Sequence, residues 1–242
     1  MVPLHIAPYR QIAEEIAARL SASRMGSDLL SAWAEEVIVP SRGAAEAIAA
    51  ELLLRMPNGI AGLRLQSLED LAERALAGWG QTPRVAEDTE RRLAMRTAVR
   101  AIDHPMMESR GVASMLERAY RDVRDGGLTL TELAKRASKT RGLRNPRRTE
   151  AIVRAWTEYE RLIAQLNAID AADRLAMVRS AVPMQLLAGF YDMTGAQFAL
   201  VKTLLDAGRI AAIWVPTEQP FAQPFLTALA PYTDRVPSSP TN

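Results

Sequence analysis

Leu4-His5-Ile6-Ala7-Pro8-Tyr9-Arg10-Gln11-Ile12 opens the chain with a short apolar run that gives way at once to Ile12, Ile16 and Leu20. A spacing of four places those three residues on one helical face, so the stretch predicts a buried strand, Leu4 to Ala7, feeding an amphipathic helix. The same unit recurs twice. Val37 to Pro40 leads into the alanine- and leucine-rich Ala44 to Met56, and Leu63 to Gln66 leads into Leu68 to Gly78, where Ser67 and Asp70 stand where a cap and a first-turn acid belong. Two more apolar runs, Gln185 to Phe190 and Ile210 to Val215, read as strands of the same kind. Strands alternating with helices predict right-handed crossovers, a parallel sheet, and a binding edge at the carboxyl ends of the strands.

Between Pro83 and Val182 the pattern changes. No convincing strand is visible there, whereas Glu87 to Ile102, Gly111 to Arg124, Leu130 to Ser138, Thr149 to Leu166 and Ala171 to Ser180 have helical periodicity. Asp125-Gly126-Gly127 and Arg144-Asn145-Pro146 punctuate them. The expectation is an α/β domain made of residues 1–82 and 183–242, with an all-helical subdomain, residues 83–182, inserted after the third strand. The stretch Pro231 to Pro240, rich in proline and without apolar periodicity, reads as a frayed terminus.

Composition narrows the chemistry. A chain of 242 residues, 48% hydrophobic and 24% charged, can build one large core or two smaller ones and is not a disordered or disulfide-stapled protein. Without cysteine it has no thiolate nucleophile and no cysteine-held metal; His5 and His104 are the only histidines and stand in unrelated contexts. No apolar run approaches the roughly 20 residues of a membrane-spanning helix, and the start lacks the pattern of a signal peptide, so a cytoplasmic setting with no membrane partner is expected. The net charge is only +2, and nearly all cations are arginine, Lys135, Lys139 and Lys202 being the only lysines. A guanidinium fork suits phosphate, but a coding bias explains the preference without any function and is the favoured reading.

A parallel sheet invites the search for a phosphate loop. The first strand-helix turn, Ala7-Pro8-Tyr9-Arg10, contains no glycine, and no lysine in the chain follows a glycine, so no Walker A sequence exists. No G-x-G-x-x-G occurs either; Gly78-Trp79-Gly80 follows a helix and lacks the third glycine. Where a strand ending in paired acids would hold magnesium, the chain has Ala188-Gly189-Phe190-Tyr191-Asp192-Met193-Thr194-Gly195-Ala196-Gln197. Neither a nucleotide cofactor nor a metal is expected. The carboxylate pairs Glu14-Glu15, Glu35-Glu36 and Glu69-Asp70 are sequence neighbours that do not face one another on a helix, and no catalytic residue is assigned.

The segment from Ala188 to Gln197 resembles superfamily 1 helicases of the UvrD and RecB kind, which have Asp-Glu-Phe-Gln-Asp-Thr-Asn-Pro-Leu-Gln there. Phe190, Asp192 and Gln197 match, while Ala188 and Gly189 replace the two magnesium-linked acids. Glycine-phenylalanine followed by Asp192, Thr194 and Gln197 is closer still to the inactivated helicase domain of the AddB family and its RecB-like exonuclease relatives. Val39-Pro40-Ser41-Arg42 and Leu65-Gln66-Ser67-Leu68 resemble the family's segments after the second and third strands, Ala168 to Asp173 its apolar-Asp helix start, and Ile213 to Phe225 the strand and loop after the fourth. The resemblance spans Leu4 to about Tyr232 and implies a P-loop-NTPase-like, UvrD-like α/β fold with both nucleotide signatures lost. It implies the N-terminal part of a longer helicase-nuclease, a hydrolase of double-strand-break repair whose chemistry lies outside this segment.

DNA, single-stranded rather than duplex, and a helicase-nuclease partner subunit are the partners implied. Ser41, Arg42 and Ser67 are DNA-contact candidates by that match, against the plain alternative of turn and cap residues. The densest basic run, Lys135, Arg136, Lys139, Arg141, Arg144, Arg147 and Arg148, has no acid between Glu132 and Glu150 and adds Arg141, Arg144, Arg147 and Arg148 as candidates, against a solvated loop. Trp33, Trp79, Trp156 and Trp214 are scattered and read as core residues rather than a base-stacking platform. Asp192 reads as a turn residue. Two other readings stand beside the DNA-guiding lobe: a docking module for a helicase partner that never touches DNA, and a divergent nucleotide-binding enzyme with an unrecognised loop.

Overall fold

The computed structural model describes residues 1–24, 33, 35–56, 59–78, 83–139, 146–178 and 182–236. Contacts between Cα atoms divide the chain into two compact units: Met1–Ala75 with Arg179–Met193 and Leu200–Asn242, and Leu76–Val178 with Thr194–Ala199.

The first unit is α/β. Its strands are β1 (Val2–Ile6), β2 (Glu35–Ile38), β3 (Leu65–Gln66), β6 (Met184–Ala188), β7 (Ile210–Val215) and β8 (Thr233–Arg235), with β4 and β5 belonging to the other unit. They form one sheet in the order β3-β2-β6-β7-β1-β8, every neighbouring pair parallel. The register sets Leu4 beside Ile213, Val37 beside Leu186 and Leu187 beside Ile213. Helices α1 (Tyr9–Arg24) and α2 (Arg42–Arg55) cover one face. There Ile12, Ile16 and Leu20 pack with Ile48 and Leu52 over Val37, Leu186, Ala212 and Trp214, a fully apolar layer.

The pleat turns alternate residues to the opposite face, where the core is partly polar. Glu36, Gln66 and Gln185 are all buried. Arg74, from α3 (Leu68–Gly78), grips Glu36 with both terminal nitrogens at 2.9 and 2.5 Å and donates to Gln66 Oε1 at 2.9 Å. The side-chain amides of Gln66 and Gln185 donate to Glu36 Oε2 at 3.0 and 3.1 Å, and Arg64 approaches at 3.4 Å. Burial works against the carboxylate, but these donors outweigh it and hold the Glu36 pKa below the usual glutamate value.

The second unit packs α4 (Asp88–Arg100), α5 (Val112–Asp125), α6 (Leu130–Lys139) and α7 (Pro146–Gln165) around Met95, Val99, Leu116, Tyr120, Trp156 and Tyr159. Pro146 begins α7, where its missing N–H costs nothing. The expected all-helical subdomain is corrected here. β4 (Arg84–Val85) and β5 (Ala168–Ile169) pair in parallel, Arg84 beside Ala168 and Val85 beside Ile169. Two-residue strands carry no period-two signal that a sequence can display. The helix expected from Ala171 is also absent: single 3-10 turns at Ala171–Asp173 and Leu175–Met177 give way to an extended Val178. At the other end of the chain, part of the stretch expected to fray is a strand. β8 adds to the edge of the sheet, Val2 beside Thr233, with Val236 N donating to Leu4 O at 2.9 Å. An edge strand with one solvated side can be polar, so Thr233, Asp234 and Arg235 give no apolar cue. The remaining element, α8 (Gly195–Asp206), follows β6, and α9 (Gln223–Leu229) precedes β8.

Candidate functional site

The carboxyl ends of β1, β2 and β6 converge on a cavity of about 530 Å³ in the first unit. Tyr9 and Arg10 enter it from the first turn of α1, Ser41 and Gly43 from the start of α2, and Ala188 and Gly189 from the end of β6; Ala44, Ala47 and Ile48 of α2 form an apolar wall. Both stretches singled out by sequence as empty nucleotide signatures therefore meet at one place, with Ser41 beside them. Ala7 and Pro8 make the turn itself: Ala7 is buried and donates to Val215 O at 3.1 Å, and Pro8 O accepts from Ile12 N at 3.0 Å.

Tyr9 closes this corner. Its hydroxyl donates to Gly189 O at 2.6 Å, and its ring lies so close that a Cβ on Gly189 would stand 3.0 Å from Tyr9 Cε1 and 3.4 Å from Pro40 Cδ. Gly189 also has φ +83°, which only glycine adopts without strain. Burial, and next the nearby Tyr191, push the Tyr9 pKa above its ordinary value, so the hydroxyl remains a donor throughout the neutral range. Arg10 is tied to Glu14 at 3.2 Å, and the other charged residue of the lining is an acid, Glu51.

Around the same edge, solvent-facing aromatics gather. Tyr9, Tyr191 and Phe221 are 47%, 44% and 61% exposed, and they follow the carboxyl ends of β1, β6 and β7. Tyr191 and Phe221 meet edge to face, their ring centres 5.5 Å apart. Sequence reasoning looked for an aromatic platform among the tryptophans alone and missed this group. Trp156 and Trp214 are buried, and Trp33 donates to Ala61 O at 3.0 Å; Trp79 lies outside the described residues. The available signal was an aromatic residue just past the end of three separate apolar runs.

The remaining candidates scatter. Ser41 caps α2, accepting from Ala44 N at 3.3 Å, and Arg42, fully solvated, pairs with Glu46 at 2.8 Å. Ser67 forms a reciprocal cap with Asp70: its hydroxyl accepts from Asp70 N at 3.0 Å while Asp70 Oδ2 accepts from Ser67 N at 3.1 Å. Thr194 and Gln197 cap α8 in the same manner, at 3.2 and 3.1 Å, and Asp192 Oδ1 accepts from Met193 N at 2.8 Å. Three residues of the helicase-like frame thus have local structural work. Arg147 and Arg148 are exposed in the first turn of α7, in the second unit, whereas Arg141 and Arg144 lie outside the described residues.

A second cavity, about 400 Å³, lies within the second unit and is lined by Tyr120, Arg124, Tyr159, Glu160, Asp170 and Asp173 among others. Tyr159 donates to the buried Asp170 at 2.5 Å, Tyr120 to Glu160 at 3.0 Å, and Arg124 to Asp173 at 2.6 Å through Nε. Burial raises the pKa of Asp173 and of Glu160, opposed in both by Arg124, and it drives both tyrosines far above theirs. Asp170 and Asp173 were visible as an apolar-Asp helix start; their partners, some ten to fifty residues away in the chain, were not. Each side chain here already has a partner, so the network fastens the turn after β5 to α5 and α7.

Among the described residues no group of three or more histidine, cysteine or acidic side chains could hold a metal ion, and no helix is long and apolar enough to cross a membrane. No protein-family model matches the chain, and no curated protein matches it.

Proposed function

We propose that this chain is a non-catalytic, helicase-like lobe of a DNA helicase-nuclease of the AddB or RecB-like kind, with a P-loop-NTPase-like α/β domain that binds or guides a single strand of DNA. One observation carries the reading: the carboxyl edge of the sheet has Ala188 and Gly189 where a pair of magnesium-binding acids would stand, and presents Tyr9, Tyr191 and Phe221 to solvent together. Exposed rings at a ligand-binding edge suit unpaired bases, because every base has a face to stack. Ser41 and the solvated Arg42 stand at the same edge, where a backbone would pass. A partner subunit would then supply the chemistry.

Fluorescence anisotropy of a labelled oligothymidylate over a salt series tests the reading. Binding is expected to weaken steeply with salt, and Phe221→Ala and Tyr191→Ala are each expected to lower affinity by about tenfold, roughly 1–3 kcal/mol per stacked base. Absence of binding at low salt would overturn it in favour of a protein-docking module. That second reading draws on Leu53 and Leu54, 50% and 79% exposed on α2.

A further inference from the structure

Several helical cations in this protein are neutralised one helical turn away. Arg10 pairs with Glu14, Arg42 with Glu46, Arg121 with Glu117, Arg161 with Glu158 and Lys202 with Asp206. Helix α4 carries a row of three cations without such pairing. Its inward face, Ala94, Met95, Ala98 and Val99, is buried in the core of the second unit, while Arg92, Arg96 and Arg100 follow one another at a spacing of four along the exposed side. No acid occurs between Glu90 and Asp103. Arg91, the fourth arginine of the helix, is turned inward and bound to Asp88 and to Ala86 O, but the other three have no ion pair or hydrogen bond among the described residues. Like charges four apart on a helix repel and lower its stability by a few tenths of a kcal/mol per pair. Among the described residues no acid relieves that repulsion, and only Arg100, in the last turn, gains from the helix dipole.

We propose that this face of α4 is a binding rail for the phosphate backbone of a nucleic-acid strand. Successive guanidiniums stand about 6 Å apart along the axis, four residues at 1.5 Å each, whereas phosphates of one duplex strand advance by about 3.4 Å. Three long arginines so spaced meet alternate phosphates of a stacked strand, or closer neighbours of an extended one. A row of planar forks that slants about 40° around the helix per step can follow a polyanion whose charges are phosphates, each able to accept two hydrogen bonds from one guanidinium. Leu93, 64% exposed, and Thr97 flank the row with an apolar and a small polar surface for sugars. The site lies outside the basic run from Lys135 to Arg148, and its assignment to nucleic acid rests on the reading of the chain as a DNA-binding lobe.

The test uses the full chain and the triple variant Arg92→Gln, Arg96→Gln, Arg100→Gln, in which glutamine keeps helix propensity while removing charge. Oligothymidylate and inorganic polyphosphate are titrated separately over a salt series. The triple variant is expected to melt no lower than the parent and to reduce the log–log salt slope for both probes by about 2, roughly 0.7 for each lost guanidinium. A variant that binds both probes with the parental slope overturns the rail, and so does a parent that binds neither probe at low salt. If the variant instead loses only an acidic polypeptide such as polyglutamate, the face belongs to a protein partner and the nucleic-acid assignment falls. The two readings fail separately. A parent that holds polyphosphate as tightly as oligothymidylate and ignores Phe221→Ala loses the base-stacking edge, yet the rail stands if the triple variant still lowers the slope.

Discussion

Glu36 is a charge placed in a sheet core, and its neighbours explain how it is tolerated. Two glutamine amides from the flanking strands and the fork of Arg74 occupy its oxygens, with Arg64 at the rim. Because the folded pKa is depressed, the carboxylate contributes stability that is fully present above the ordinary value of 4.5 and is lost as pH falls through the lower folded value. Glu36→Gln is expected to cost about 2–3 kcal/mol near neutral pH, less than the roughly 3–5 kcal/mol of a fully buried pair, since both arginines retain water contact. It should also flatten the acid limb of a plot of unfolding free energy against pH. Urea titrations from neutral pH to about pH 3 measure both effects, and an unchanged acid limb would show that another group governs it.

Elements differ in how plainly they are written in the chain. β8 is the clearest case for a test: it covers the outer edge of β1 through Val2 N to Tyr232 O at 2.8 Å and Val236 N to Leu4 O at 2.9 Å. Truncation after Tyr232 is expected to lower the melting temperature by several degrees, at roughly 2–4 °C per kcal/mol for a chain of this size, and to promote association through the bared edge. Calorimetry and light scattering read the two outcomes. The four inner strands, β1, β2, β6 and β7, were legible because burial on both faces demands mostly apolar runs, as in Ile210 to Val215, and the edge strand β3 because Leu63 and Leu65 extend its apolar signal beyond its own two residues. Helices α4 and α5 were legible through their period, and Ser67 with Asp70 through cap chemistry. β4, β5 and β8 were not, being two or three residues long and partly polar. The same asymmetry governs the candidate site. Ala7 to Arg10 and Ala188–Gly189 could be named from the sequence, but the bond from Tyr9 to Gly189 joins positions 180 residues apart, and no local pattern encodes it.

The whole molecule carries a net charge of only +2, so any affinity for a polyanion must come from how the charge is placed. The α4 row gathers exposed cations, and the carboxyl edge gathers exposed aromatics. In the proposed helicase-like reading, magnesium-ATP would meet Tyr9 at the corner beside Gly189, in a cavity whose one lining cation, Arg10, is tied to Glu14. At 1 mM the nucleotide is expected to shift the melting temperature by less than about 2 °C, because a ligand with a dissociation constant of 1 mM or weaker adds no more than about 0.4 kcal/mol at that concentration. A shift of several degrees in differential scanning fluorimetry would revive a nucleotide-binding enzyme.

The order of the sheet also bears on how the chain is made. β1 lies between β7 and β8, and Leu4 waits for Ile213. During synthesis at about 5–20 residues per second, the first strand emerges and remains unmated for some tens of seconds, while the intervening helices of the second unit can already collapse. Long-range parallel pairing of this kind folds slowly, and the apolar Leu4–Ile6 stretch is left open to capture by chaperones, or by another nascent copy, until the closing strands leave the ribosome. Residues from Ile210 onward thereby decide when Leu4 to Ile6 find their place.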